Sequence, residues 1–87
     1  MKIKYIATAK EWFDKVNGNS YFSVQVKNLE NGKIIHMPYQ YGYGNHFEDE
    51  VKKLLNLKGR VSELPIEFIK IENCSKKDVI AWGLEWI

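Results

Sequence analysis

The sequence has few of the features that mark secreted, membrane or fibrous proteins. It contains one cysteine, Cys74, which excludes an intramolecular disulfide, so the fold must be stable through packing alone, as in reducing compartments. Two prolines and six glycines among 87 residues form no collagen-like or linker-like segment. No apolar run approaches the roughly 20 residues that span a bilayer, and residues 1–8 lack the apolar centre of a signal peptide. We therefore expect a cytoplasmic protein that does not bind membranes.

Charge and length exclude further classes of protein. Thirteen Lys and Arg residues against 11 Asp and Glu give a net charge of +2. The two signs are interspersed, a pattern that does not favour a polyanion as ligand. The hydrophobic content of 45% and the aromatic content of 14% exceed what disordered chains carry. Because a chain of 87 residues forms only one core, we predict a single domain over residues 1–87.

Three segments begin with a cap residue followed three positions later by an acid, which is the pattern of a capping box. The pairs are Thr8 with Glu11, Asn45 with Glu48, and Ser75 with Asp78. Apolar residues at helical spacing follow the first two pairs, and they predict helices over residues 9–17 and from Asn45 toward Gly59. The third pair opens the segment of residues 75–87, whose pattern does not decide between helix and strand.

A hairpin is predicted around Asn31-Gly32, a dipeptide typical of a two-residue type I′ turn. This turn pairs Val26 with Met37, Val24 with Tyr39, and Phe22 with Tyr41. The opposite face then carries the mostly polar side chains Tyr21, Ser23, Gln25, Lys27, His36 and Gln40. Because this register sorts both strands into an apolar and a polar face, it assigns Tyr39 and Tyr41 to the core.

Residues 2–7 and 65–72 are predicted as two further strands, the second apolar on both faces like a central or covered strand. The predicted order is β-α-β-β-α-β, followed by a C-terminal element. This is the order of the ferredoxin-like fold, with two helices on one face of a four-stranded sheet. Because the first helix is short for a crossover, a meander sheet packed by helices is the alternative. Both are small α+β domains with an antiparallel or mixed sheet.

The sequence carries no pattern typical of catalysis, of metal binding or of cofactor binding. His36 and His46 have no ligand partners at metal spacing, and Cys74 is distant from both along the chain. The consecutive acids Glu48-Asp49-Glu50 point in different directions on a helix, so they do not form a catalytic carboxylate pair. We expect a protein that is not an enzyme and that holds neither a metal nor a cofactor.

Three segments of the sequence resemble a group of small proteins encoded by bacteriophages. The segments are residues 12–23 (WFDKVNGNSYFS), 38–44 (PYQYGYG) and 77–83 (KDVIAWG). The group has no assigned activity, so the resemblance implies a phage setting and supplies no catalytic residues. Small single-domain phage proteins without enzyme motifs are often inhibitors that bind a host or defence protein.

These observations lead to a first hypothesis, a non-enzymatic binding protein in the host cytosol that occludes a host or defence protein. The residues predicted to contact this partner are Tyr43, His46, Trp82 and Trp86, because exposed aromatic side chains are typical of protein interfaces. Two alternatives stay open for the terminal tryptophans. They could form a homodimer seam, or they could close the core over the sheet.

The alternative hypothesis is a binder of a nucleotide, a signalling molecule or a single-stranded nucleic acid. Its phosphates would lie at the loop of Gly42, Gly44 and Asn45. Its bases would lie on the polar sheet face, at Tyr21, Lys27, His36 and Gln40. The three acids that follow the loop repel an anion, and the predicted register places Tyr39 and Tyr41 in the core. Both points make nucleic acid the less favoured partner.

Overall fold

The computed structural model describes residues 2–60 and 63–84. In chain order the elements are β1 (Tyr5–Asp14), β2 (Asn19–Asn28), β3 (Ile34–Tyr41), α1 (His46–Leu54), β4 (Ile66–Ile71) and α2 (Lys76–Trp82). The strands form one mixed sheet in the order β3-β2-β1-β4, in which β4 is parallel to β1 and the other pairs are antiparallel. The predicted α+β class and the four-stranded sheet are confirmed, whereas the ferredoxin-like element order is wrong.

The segment predicted as the first helix belongs to β1. It pairs with β2 along its length, with Ala9 opposite Val24 and Trp12 opposite Tyr21. Ala7 and Ala9 are fully buried on one face, and Thr8 between them points to the other face, as strand alternation requires. Apolar residues at helical spacing produced the wrong prediction, because continuous pairing with a neighbouring strand outweighs a short local pattern. The first three strands therefore form a meander, as in the alternative.

A turn at Asn17-Gly18 joins β1 to β2 at the position predicted to end the first helix. The Asp14 carboxylate accepts hydrogen bonds from the backbone N–H of Val16 (3.0 Å) and from the side-chain amide of Asn17 (2.8 Å). The N–H of Gly18 donates to the Asp14 carbonyl (2.8 Å). Since these bonds satisfy the polar groups of the turn locally, the same dipeptide that ends helices here reverses a strand.

The loop between β2 and β3 is longer than the predicted two-residue turn. The N–H of Asn28 donates to the carbonyl of Lys33 (2.9 Å), and the N–H of Gly32 donates to the carbonyl of Asn28 (2.8 Å). Residues 29–32 thus form a four-residue loop. Gly32 has φ of 73°, a conformation that other residues adopt only under strain. The type I′ turn and the register derived from it are therefore wrong.

The observed register of β2 and β3 moves two tyrosines to the other face of the sheet. The observed pairs include Val24 with Met37, Phe22 with Gln40, and Tyr21 with Tyr41. Pro38 and Tyr39 stand opposite the single residue Ser23, which is a β-bulge. Because a bulge shifts the alternation of side chains by one residue, Tyr39 and Tyr41 lie on the face opposite to the one predicted.

α1 packs on the sheet face that carries the main core. Its Phe47 and Val51 are buried, as the apolar spacing predicted. The core cluster comprises Ala7, Ala9, Phe22, Val24, Val26, Met37, Phe47, Val51, Leu64 and Ile66. The helix begins after Asn45 as expected, although the Asn45 side chain makes no capping hydrogen bond, and it ends at Leu54, before the predicted end.

α2 settles the type of the undecided tail segment, and it packs on the opposite face. The Ser75 hydroxyl accepts a hydrogen bond from the N–H of Asp78 (3.1 Å), as a capping box predicts. The buried hydroxyl of Ser23 donates to the carbonyl of Val79. Because Ser23 and Val24 are successive strand residues, the two helices cover opposite faces, and the prediction of both helices on one face is wrong. Neither helix of the described ranges is long and apolar enough to cross a membrane.

β4 lies at the edge of the sheet rather than at its centre. Among the described residues it pairs with β1 alone, from Ile66 opposite Tyr5 to Ile71 opposite Lys10. Ile66 is buried, but Ile69 and Ile71 are 41% and 42% exposed. α2 packs over the other three strands. The apolar residues on both faces of β4 therefore do not mark a covered strand, and that prediction is wrong.

Candidate functional site

Five aromatic side chains form a continuous row across three strands at one end of the sheet, on the α2 side. The row, here called the aromatic row, comprises Trp12 of β1, Tyr21 of β2, Tyr39 and Tyr41 of β3, and Tyr43 in the following loop. The rings of Trp12 and Tyr21 are stacked with centroids 5.6 Å apart, and those of Tyr21 and Tyr39 are 5.1 Å apart. Tyr41 stands edge-on to Tyr21 (5.8 Å) and to Tyr43 (5.2 Å).

Strand pairing and the bulge explain why these rings meet. Trp12 lies opposite Tyr21 across β1 and β2, and Tyr21 lies opposite Tyr41 across β2 and β3. Directly opposed residues of antiparallel strands have side chains close enough for aromatic contact. The bulge brings Tyr39 onto the same face, so three strands contribute to one cluster.

The row is ordered by its own contacts and partly open to solvent. Tyr41 is 52% exposed and Tyr43 is 49% exposed, while the other three side chains are half-buried. Because Tyr21 is stacked between Trp12 and Tyr39, both of its ring faces are covered by neighbours. The surface that the row offers is therefore made mainly of ring edges and hydroxyl groups.

The hydroxyl groups of Tyr39 and Tyr41 stay protonated at neutral pH. Hydrogen bonding with Tyr43 raises the pKa of Tyr41 above its ordinary value, and burial raises the pKa of Tyr39. The Tyr43 hydroxyl lies 3.1 Å from the Gly18 carbonyl and 3.2 Å from the Asn19 side-chain oxygen. These contacts connect the loop before α1 to the turn between β1 and β2. The Tyr43 side chain is therefore held by this turn and by the ring of Tyr41.

Charged side chains lie near the Trp12 end of the row. The Lys76 ammonium lies 5.4 Å from the centre of the Trp12 ring, a cation–π contact. The hydrogen bond from the Asn17 side chain lowers the pKa of Asp14, whose carboxylate is occupied by its own turn. Beside Trp12 lies an open cavity of about 340 Å³, which is lined by Trp12, Phe13, Lys15, Asn73, Cys74 and Ser75.

The four residues predicted to contact a protein partner are not brought together. Tyr43 belongs to the aromatic row. His46 lies on α1, with its Nε2 atom 3.3 Å from a Glu50 carboxylate oxygen. Trp82 is half-buried between α2 and the sheet, where its indole N–H donates to the Thr8 carbonyl (2.8 Å). Trp86 lies outside the described residues. Of the described three, only Tyr43 therefore belongs to the partly exposed row.

The loop of Gly42, Gly44 and Asn45 uses its polar groups within the chain. The N–H of Gly42 donates to the Ser20 carbonyl (3.1 Å), and the Gly44 carbonyl accepts from the Lys70 ammonium (3.1 Å). Lys70 also forms an ion pair with Glu11 (3.0 Å). These contacts give the loop a structural role that its glycine content alone does not reveal.

The bulge separates the residues that were predicted to share the polar face of the sheet. Tyr21 lies in the aromatic row, and Lys27 is exposed near the far end of β2. The His36 ring nitrogen lies 3.4 Å from the Trp82 carbonyl, beneath the end of α2. Gln40 pairs with Phe22 and therefore lies on the core face, so the prediction that it shares a face with Tyr21 is wrong.

Sequence reasoning missed three members of the row. Tyr39 and Tyr41 were assigned to the core, and Trp12 was placed in the predicted first helix. One signal could have found the two tyrosines. Pro38 lacks a backbone donor, so a proline within a strand favours an edge strand or a bulge. A bulge at Pro38 places Tyr39, Tyr41 and Tyr21 on one face.

No protein-family model, curated protein or solved structure matches the chain. Within residues 2–60 and 63–84, no group of three or more His, Cys, Asp or Glu side chains could hold a metal ion. The aromatic row is thus interpreted from its own geometry.

Proposed function

We propose that this protein is a non-enzymatic binding module that uses the aromatic row to cover the surface of a protein partner. The observation that supports this most directly is the continuous contact among five rings, of which Tyr41 and Tyr43 are about half exposed. Trp and Tyr are the residue types that most often dominate the energy of protein interfaces.

The rigidity of the row favours tight binding. Side chains that are already stacked lose little conformational freedom when a partner covers them, so less of the contact energy is spent on ordering. The neutral hydroxyl groups of Tyr39 and Tyr41 add hydrogen-bond donors at the edges of the rings. A surface made mainly of uncharged aromatic rings suits a protein partner better than a polyanion.

The resemblance to small bacteriophage proteins supports a more specific version of this proposal. In it, the protein acts in the host cytosol as an inhibitor, and its partner is a host or defence protein whose working surface the row occludes. Such inhibition requires binding alone, which agrees with the absence of a catalytic pattern from the sequence.

Affinity purification from a bacterial host, followed by mass spectrometry and titration calorimetry, tests the proposal. We expect Tyr41→Ala to weaken binding of the captured partner about 30-fold, the effect of a hot-spot residue. Leu54→Ala, which truncates a similarly exposed side chain on α1, serves as the matched control. Unchanged thermal stability of both variants shows that the loss is local. If Tyr41→Ala and Tyr43→Ala retain every partner at full affinity, the proposal is wrong.

A second candidate function is binding of single-stranded nucleic acid. It is favoured by the position of Tyr39 and Tyr41 on the α2 face and by the cation over Trp12. The stacking of the rings on one another argues against it, because bases need free ring faces. Fluorescence anisotropy with labelled single-stranded DNA and RNA at several salt concentrations distinguishes the candidates. Salt-sensitive binding that Tyr41→Ala abolishes would favour nucleic acid over protein.

A further inference from the structure

The two edges of the sheet differ in how well they are protected from pairing with another strand. The β3 edge is interrupted by the bulge and by Pro38, which has no N–H to donate. β4 pairs with β1 over six residues in a continuous register, without a bulge or a proline. Within residues 2–60 and 63–84, no strand pairs with the outer side of β4. An open, regular edge of this kind is a template for another strand.

The side chains of β4 make this edge apolar. Ile69 and Ile71 are 41% and 42% exposed on the α2 side of the sheet. α2 does not cover them, because it crosses the sheet from β1 toward β3, away from β4. Lys76 at its start lies over Trp12 of β1, and Gly83 at its end lies close to Pro38 of β3. On the other face, Phe68 is half-buried and packs edge-on against Phe47 of α1 (5.9 Å). The exposed apolar surface at this edge is therefore that of the two isoleucines.

We propose that the β4 edge pairs with the β4 edge of a second copy of this chain, in an antiparallel arrangement centred on Ile69. Two-fold symmetry is the most common arrangement of homo-oligomers, and it brings identical surfaces together. The result is a continuous sheet of eight strands. This interface lies at the edge of the sheet opposite to the β3 edge, and it is independent of the proposed role of the aromatic row.

The charges along β4 disfavour two of the possible centres of this pairing. A two-fold axis perpendicular to the sheet keeps each face on its own side, so one residue must lie opposite its own copy. Centres at Glu67 and at Lys70 would oppose like charges, which is destabilising. A centre at Phe68 would place at the axis a ring that already packs against α1.

A centre at Ile69 avoids both problems. It places Ile69 against its own copy at the axis, and it places Ile71 opposite Glu67 of the second chain. Lys10 neighbours Ile71 on the same face and carries the charge opposite to that of Glu67.

Sedimentation equilibrium over a wide range of protein concentration tests the dimer. We expect a reversible monomer–dimer equilibrium for the native chain. Ile69→Lys places two ammonium groups at the axis, so it should weaken self-association about 10-fold or more. Ile34→Lys is the matched control, because it introduces the same charge at a similarly exposed isoleucine of β3 and should leave the equilibrium unchanged. A chain that stays monomeric at every concentration overturns the proposal, as does an equal effect of the two variants.

Disulfide trapping tests the register itself. Directly opposed residues of antiparallel strands have Cα atoms about 4.5–5.5 Å apart, within the range that a disulfide spans. In a Cys74→Ser background, Ile69→Cys should therefore form a covalent dimer under mild oxidation, whereas Ile34→Cys should not. Circular dichroism of each reduced variant confirms that it is folded. If both cysteines cross-link at the same rate, the assigned pairing is wrong.

Discussion

Three sheet side chains contact backbone carbonyls in the last turn of α2. Gln25 donates to the Trp82 carbonyl (3.0 Å), His36 lies beside the same oxygen (3.4 Å), and Ser23 donates to the Val79 carbonyl. The last carbonyls of a helix lack partners within its regular pattern, and Gln25 supplies one to the Trp82 carbonyl. The Val79 carbonyl accepts from the N–H of Gly83 (3.4 Å) as well as from Ser23. These contacts require the end of α2 to approach the sheet closely. Gly83, the residue after the helix, lies so near β3 that only a glycine fits there.

Gly83→Ala is expected to destabilise the protein by about 1–3 kcal/mol, as overpacking does. A Cβ atom at this position would lie 2.7 Å from the Met37 carbonyl oxygen and 3.0 Å from the Pro38 Cα atom. Both belong to the backbone and cannot move aside without shifting β3. Urea denaturation measures the loss, with Lys77→Ala on the exposed side of α2 as the control. An unchanged midpoint would show that the helix end adjusts freely.

Asp14 makes the stability of the first turn dependent on pH. The hydrogen bond from the Asn17 side chain lowers the pKa of Asp14 below its ordinary value of 3.8. The unfolded chain therefore binds the proton more tightly than the folded protein does. The stabilisation is present above pH 3.8 and is lost as the pH falls through the lowered value.

Accordingly, Asp14→Asn should lower the melting temperature at neutral pH and should have a progressively smaller effect below pH 3.8. Thermal denaturation across this range checks the prediction. Glu30→Gln is the control. It removes the same charge in the exposed loop between β2 and β3, where the carboxylate does not hold a turn as that of Asp14 does. A constant difference between the native chain and Asp14→Asn at all pH values would contradict it.

The two helices are capped differently although their sequences look alike. Ser75 accepts a hydrogen bond from the N–H of Asp78, whereas the side chain of Asn45 makes no such bond. We expect Ser75→Ala to cost about 1 kcal/mol in the free energy of unfolding, and Asn45→Ala to cost clearly less. Chemical denaturation of the two variants gives the comparison directly. Equal losses would mean that the cap at Asn45 forms in solution.

The elements that were predictable from the sequence are those whose local signals agree with their packing. The spacing of Phe47 and Val51 located α1, and Ser75 with Asp78 marked the start of α2. β1 was not predictable in the same way, because its helical spacing of apolar residues is overruled by pairing with β2. The aromatic row depends on a bulge, and one unpaired residue inverts the faces of everything after it. Tyr21 and Tyr43 are the two members of the row that were predicted as site residues, and Tyr43 lies beyond the strand, so its placement does not depend on the register.

For the whole molecule, the sheet separates two packing layers of unequal size. The α1 side contains the apolar core cluster, which includes Ala7, Val24 and Val51 at 0% exposure. On the other side, Val79 and Ser23 are the fully buried contacts between α2 and the sheet, and hydrogen bonds supply much of the remaining contact. Because buried apolar area contributes most to stability, we expect the α2 layer to be the less stable of the two.

Native-state hydrogen exchange should therefore detect opening of α2 before global unfolding. The amide of Val79 is hydrogen-bonded to the Ser75 carbonyl (3.1 Å), yet we expect it to exchange at least about 10-fold faster than the amides of Val24 and Val26 in the central strand. Ser75→Ala should speed exchange at Val79 and leave the strand amides unchanged. Lys76 at the start of α2 lies over Trp12, so this opening would also alter one end of the aromatic row. If Val79 exchanges as slowly as the strand, α2 unfolds only with the whole domain, and the two layers form one cooperative unit.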